Sequence, residues 1–172
     1  MQTKLTRFSF IAAACLILAG CGFALRGDSS IDAKLQPIYV ASDRESQELS
    51  SSLKRQFAIN DVAVSKRRKE AKLIVIVKLL DEEKRSVALD REARDAEYAL
   101  FESASIELQS PDGTNLRGPH TLQQRRLIVN DPDNPVGEET ESTIVRAEMR
   151  EQLSIRLARQ VEFWSHQLQD QP

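Results

Sequence analysis

Cysteine and histidine are nearly absent from this 172-residue chain, with two of each. Both cysteines, Cys15 and Cys21, lie at the N-terminal end. Nothing downstream can pair with them inside a folded domain, so the fold must stand on its own packing or on a partner. His120 and His166 could supply at most half of the ligands that a zinc site needs, which argues against a metal centre. Neither histidine has a nucleophile nearby in sequence. The chain also has no Gly-rich phosphate loop, no G-x-S-x-G, no H-E-x-x-H and no EF-hand loop. The expectation is therefore a protein that is not an enzyme and carries no cofactor. Positive charge is not in excess: 24 basic against 26 acidic side chains give a net charge of −2. That balance argues against a nucleic-acid binder. Aromatics make up only 5%, yet the apolar residues are clustered and periodic, so the chain is expected to fold.

The longest apolar run, Phe8 to Ala19, is shorter than the roughly 20 residues a membrane-spanning helix needs. It follows Lys4 and Arg7 and has the length of a signal-peptide core. It ends in Leu18-Ala19-Gly20-Cys21, where small residues give a peptidase access to the backbone. This motif resembles the bacterial lipobox. The resemblance implies diacylglycerol on the Cys21 sulfur, cleavage before Cys21 and acylation of the new amine, palmitate being a typical chain. Residues 1–20 are then a cleaved leader and Cys21 is the lipidation site. Several acyl chains on one residue anchor firmly, each buried CH₂ contributing about 0.8 kcal/mol. Gly22 is not the aspartate that retains lipoproteins in the inner membrane, so the outer membrane of a Gram-negative envelope is expected, with the domain on its periplasmic side.

Residues 21–34 read as a tether and 35–169 as a single domain. Pro37-Ile38-Tyr39-Val40 predicts a short strand, its proline at the start where a missing N–H matters least. Ser42 and Glu45 fit a capping box, and Leu49, Leu53 and Phe57 then recur every four residues on one helix face. Asn60-Asp61 ends that helix, and Val62 and Val64 predict a brief extended piece. Lys66-Arg67-Arg68-Lys69 reads as a solvated loop.

Leu73 to Leu80 is a β-branched apolar run that continues as polar sequence to Val87 and Leu89. It predicts a long strand whose second half is exposed on both faces or projects from the body. Asp90 to Asp95 is the expected turn. From Tyr98 to Gln109 the chain alternates, with Leu100, Ala104, Ile106 and Leu108 on a dry side that Glu102 interrupts, and Phe101 interrupting the wet side. Ser110-Pro111-Asp112-Gly113 is a turn signal, followed by a strand from about Thr121 to Val129. The Asn130 to Pro135 segment stops it, and its Asp131 and Asp133 read as turn formers rather than calcium ligands. Thr140 to Gln169 predicts one long helix with Val145, Met149, Leu153, Leu157, Val161, Trp164 and Leu168 on one face.

The order is strand-helix-strand-strand-strand-helix. The expected class is α+β, with two helices on one face of a mainly antiparallel four-stranded sheet. One wet sheet face and clustered arginines suit an anionic amphiphile or a protein partner.

Cys21-Gly22-Phe23-Ala24-Leu25-Arg26-Gly27 resembles the opening of the LptE (RlpB) family of lipopolysaccharide (LPS) assembly lipoproteins. Ala96-Glu97-Tyr98, Ile144-Val145 to Met149 and the element order fit that family too. Ala24 departs from it, standing where the family usually has histidine. The resemblance implies a one-to-one heterodimer with an LptD-like β-barrel, which the chain would plug and help assemble, and binding of LPS on its way to the cell surface. It maps the family's basic turn residue onto Arg91. Arg94 is its neighbour, and Lys84 and Arg85 lie on the same hairpin. Arginine suits lipid A phosphates through bidentate, charge-assisted hydrogen bonds. No lysine or arginine lies between Arg126 and Arg146, where some relatives carry a basic loop residue, so Arg125 or Arg126 would have to substitute. The alternative is another outer-membrane lipoprotein that binds a different envelope polymer or scaffolds a different barrel.

Overall fold

A computed structural model describes residues 31–130 and 135–169. The expected leader, Cys21, the opening motif, and Asp131 and Asp133 lie outside the described residues. The element order matches the expected one: β1 (Ile38–Ala41), α1 (Gln47–Ile59), β2 (Leu73–Leu89), β3 (Asp95–Gln109), β4 (Asn115–Val129) and α2 (Pro135–Gln169). The strands form one sheet in the order β1-β2-β3-β4. β1 runs parallel to β2, and the other two pairings are antiparallel. The sheet is thus mixed and mainly antiparallel.

Alternation explains why both helices share one face. Ile38 and Val40 of β1, Leu73, Val75 and Val77 of β2, and Ala104, Ile106 and Leu108 of β3 point the same way. They bury against Leu49, Leu53 and Phe57 of α1 and Leu153, Leu157 and Val161 of α2. The stripe predicted for α2 is the one that packs. At about 1.5 Å per residue α2 is about 52 Å long, close to the about 55 Å of β2 at roughly 3.3 Å per residue, so one helix can follow a long hairpin. The brief extended piece also forms. The Ile38 N–H donates to the Ala63 carbonyl (2.9 Å) and the Ser65 N–H to the Ile38 carbonyl (2.7 Å). Val64 bridges Ile38 in parallel, which covers the outer edge of β1.

Four expectations are corrected. The tether ends earlier than residue 34, because Ile31 is fully buried in the core and Ala33–Leu35 forms a 3₁₀ turn. Ser42 and Glu45 form no capping box. The N-cap of α1 is Ser46, whose side chain makes no cap bond. Its oxygen instead accepts the Leu79 N–H at 2.8 Å. β1 pairs with β2 only as far as Ile76, and Ser46 satisfies a β2 donor beyond that point. The Asp43 carboxylate accepts the Ser46 N–H (2.9 Å), and Ser46, first through its hydroxyl and then through this N–H, holds the Asp43 pKa below the usual value.

β4 begins at Asn115 rather than Thr121. Gly118 makes this possible. Its φ is +89°, and a Cβ there would sit 2.8 Å from the Ile106 carbonyl oxygen and 3.1 Å from the Trp164 ring, so the early strand bends under Trp164 only with glycine at this point. α2 begins at Pro135, five residues before the expected start, because a proline that stops a strand is equally suited to the first turn of a helix. Val87 and Leu89 are exposed, as expected for the second half of this strand. A bulge between Leu79 and Asp81 shifts the phase of β2: odd residues face the helices before it and even residues from Glu82 to Ser86, beyond which the register shifts again.

Candidate ligand and partner surfaces

The β2–β3 hairpin ends in a turn that carries two of the four candidate cations. Asp90 organises it. Its carboxylate accepts the backbone N–H groups of Glu92 (2.9 Å) and Arg94 (2.8 Å) and the Arg94 side-chain N–H (2.9 Å). These bonds, the Arg94 backbone bond first, hold the Asp90 carboxyl below its ordinary range. Ala93 takes a left-handed φ of 61° to close the turn. Arg94 is thereby tied to the turn. Arg91 is exposed beside it and forms no ion pair among the described residues.

Lys84 and Arg85 do not join them in one cluster. After the bulge Lys84 pairs with Leu100 on the helix face. Its ammonium meets Glu138 of α2 and lies 3.9 Å from the Tyr98 ring centroid. The Tyr98 hydroxyl donates to Asp95 (2.9 Å), which raises its pKa. Arg85 lies on the uncovered face. It pairs with Glu83 and sits 4.9 Å over Phe101, whose other cationic neighbour is Arg125 at 5.8 Å. Three of the four candidate cations therefore have intramolecular partners, and Arg91 has no ion pair among the described residues.

Arg125 and Arg126 also leave their strand on opposite faces. Arg125 is opposite Phe101, and Arg126 is opposite Leu100, its nearest acid being Glu148 at 4.0 Å. Beside Phe101, the uncovered face of this hairpin carries exposed Val87, Leu127 and Val129, so it is amphipathic rather than simply wet.

Sequence reasoning missed a buried charge cluster between α2 and the sheet. Glu102 is fully buried and pairs in register with Glu82. Arg150 reaches Glu82 at 2.5 Å and Glu102 at 3.6 Å, and it also meets Glu48 of α1. Arg146 lies 3.8 Å from Glu82 and 3.9 Å from Glu102. Neither Glu102 oxygen makes a hydrogen bond of ordinary geometry among the described residues. Burial, then Glu82, pushes the Glu102 carboxyl up to about 7, although Arg150 and Arg146 pull the other way. Burial also acts to raise Glu82, but Arg150 outweighs it, and the Glu82 carboxyl stays below its ordinary value. The sequence signal was present: Glu102 interrupts the dry side of β3, and Arg146 and Arg150 are one helical turn apart beside the apolar stripe.

No helix among the described residues is long and apolar enough to cross a membrane, and no group of three or more metal-ligating side chains occurs among them.

The family model described as LptE, lipopolysaccharide-assembly, matches residues 35–161. That span takes in both helices and all four strands as far as Val161. The chain is 30% identical to the LPS-assembly lipoprotein LptE of Photorhabdus laumondii, over 86% of this chain and 80% of that one. It is 28% identical to the protein of the same name from Pectobacterium atrosepticum, with the same coverage. Among solved structures it is similar to rare lipoprotein B from Shewanella oneidensis, at 19% identity and a TM-score of 0.66, covering 77% of this chain and 98% of that one. It is also similar to lipoprotein B from Nitrosomonas europaea, at 18% identity and a TM-score of 0.67, covering 84% and 93%. These two likenesses bear on the fold.

Proposed function

This chain belongs to the LptE lipopolysaccharide-assembly family, and on that premise we propose that it is a non-enzymatic, lipid-anchored subunit of the outer-membrane LPS translocon. Its partner in this reading is an LptD-like β-barrel, bound one to one, which the domain plugs and helps to assemble. LPS is the ligand handed on to the cell surface. Lipid on Cys21 holds the protein to the periplasmic side of the outer membrane.

The family match across the folded domain carries this reading, and the shape of the domain supports it. The chain enters beside the start of β2, where the Lys72 N–H donates to the Pro37 carbonyl (2.8 Å). The Arg91 turn lies at the other end of β2, about 50 Å away at roughly 3.3 Å per residue. A lipid anchor at one end and an unpaired cation at the other suit a domain that stands along a barrel lumen and meets its ligand far from its own attachment. An exposed arginine offers a phosphate two parallel N–H donors without first giving up an internal partner. Lys84, Arg85 and Arg94 are secondary contacts in this reading, because each would have to leave Glu138, Glu83 or Asp90.

The test is to tag the C-terminus, extract outer membranes in mild detergent and identify what co-purifies at equal stoichiometry. A large β-barrel is expected. Arg91→Glu should leave that complex intact and weaken capture of labelled LPS by it. Recovery of the protein alone, or with a peptidoglycan or inner-membrane component, would overturn the translocon reading in favour of another envelope role.

A further inference from the structure

Where the edge of β4 meets α2, Gln123, Gln124, Arg125, Arg126, Gln152 and Arg156 line an open groove of about 400 Å³. β4 is an edge strand, so side chains from both of its faces reach the groove, and α2 adds two more. Among the described residues no carboxylate lines it. In a chain with a net charge of −2, three guanidiniums around one groove are a local excess of positive charge.

A second groove provides the contrast. Between the helices, Arg55 and Arg150 line a cleft of about 440 Å³ together with Glu48 and Glu151. Arg55 pairs with Glu151 at 3.3 Å and Arg150 with Glu48, so its charges are satisfied within the molecule.

The β4 groove holds its arginines differently. Arg125 stacks on Phe101. Arg156 donates from Nη1 to the Gln123 carbonyl oxygen at 3.0 Å, a bond that positions the guanidinium without neutralising it. Arg126 lies 4.0 Å from Glu148, and both side chains are exposed, a geometry that contributes little. Guanidinium forks match the paired oxygens of a phosphate, and the three glutamine amides can hydrogen-bond hydroxyl and ester oxygens beside it.

We propose that this groove binds a phosphate group of the LPS headgroup, at a site separate from the Arg91 turn. The inference rests on the LPS reading above. The groove takes the phosphorylated sugar rather than an acyl chain, because polar side chains line it throughout.

The experiment measures binding of fluorescent LPS, enzymatically dephosphorylated LPS and inorganic pyrophosphate to the immobilised, detergent-solubilised lipoprotein. The wild type should prefer phosphorylated LPS. Arg126→Gln with Arg156→Gln should weaken that binding about tenfold, as expected for losing charge-assisted contacts, and leave binding of the dephosphorylated form unchanged. Arg126→Lys with Arg156→Lys keeps the charge and loses the fork, so it should recover part of the affinity. It also serves if the glutamine pair fails to fold. If the wild type prefers phosphorylated LPS and the variants match it, the groove assignment falls and the LPS reading stands. Should the wild type bind no form of LPS, both fall. Pyrophosphate binding as tight as that of LPS would mark a site for free phosphate and overturn the headgroup assignment.

Discussion

The helix–sheet interface is built differently in its two halves. Near the chain entry, α1 and α2 together cover β1 to β3 with a large and almost wholly apolar cluster. Toward the Arg91 turn α2 covers the sheet without α1, and the apolar cluster shrinks to Leu100, Ile128 and Met149, flanked by Tyr98 and Val145. Between the two clusters lie Glu82, Glu102, Arg146 and Arg150. The first half gains from every methylene it removes from water. In the second, the attraction among buried charges is largely offset by the cost of desolvating them. The entry half is built to fix the fold. The projecting half is held by contacts that add little net stability, which suits the part of the domain proposed to meet ligand.

Truncating one core side chain in each half separates their packing. Leu153→Ala should cost about 3–4 kcal/mol, the usual range for a fully buried leucine. Met149→Ala should cost about 2 kcal/mol, because the smaller cluster around it can relax. Urea midpoints measure both, and equal costs would mean that the two halves are equally well packed.

Gly118→Ala tests the entry half through the backbone. A left-handed φ and a Cβ against the Ile106 carbonyl should together cost about 2 kcal/mol. Loss of the Trp164 fluorescence shift on unfolding would accompany it if Trp164 is displaced.

Glu102 tests the projecting half through pH. Its folded pKa is raised from 4.5 to about 7, so between those values the folded state keeps a proton that the unfolded chain releases. This group therefore opposes stability increasingly as pH rises from about 4.5 to 7. Glu82 has the opposite sign: its pKa is lowered, and its contribution is lost only as pH falls below 4.5. Glu102→Gln should remove the decline across the upper window, so the variant gains on the wild type in melting temperature from pH 5 to pH 7.5. Parallel curves would show that Glu102 is ionised throughout.

The smallest effect belongs to the surface pairs of the hairpin. Arg94→Ala should change the urea midpoint by no more than about 0.5–1 kcal/mol, because an exposed ion pair contributes little. A larger loss would mean that the Asp90 turn is itself a structural element of the projecting half.

How far these features could be read in advance follows from their periodicity. Leu49, Leu53 and Phe57, and the stripe from Val145 to Leu168, announced both helices and their buried faces because a single period runs through each. Turns at Asp90 to Asp95 and Ser110 to Gly113 were legible because aspartate, proline and glycine favour turn conformations locally. The capping box of Ser42 and Glu45 failed because α1 begins only at Gln47 with Ser46 as its N-cap, and the Ser46 hydroxyl serves a β2 N–H 33 residues away. Which side chains of β2 turn to the helices beyond Leu79 was not legible, because the bulge between Leu79 and Asp81 inverts their facing and depends on the pairing of β2 with β3. Lys84 and Arg85 looked like neighbours in sequence, and strand alternation sets them on opposite faces.

By itself the sequence determined the elements, their order, the buried stripes and the absence of any disulfide from the folded domain. These follow from local propensity and from the period of the apolar residues. Tertiary structure alone decided which charges stand free. Glu102 is buried between Arg146 and Arg150, Arg94 is tied to Asp90, Arg91 has no ion pair among the described residues, and Arg125, Arg126 and Arg156 gather at one edge. Ion pairing depends on distances between groups far apart in the chain, and packing a helix on a sheet sets those distances.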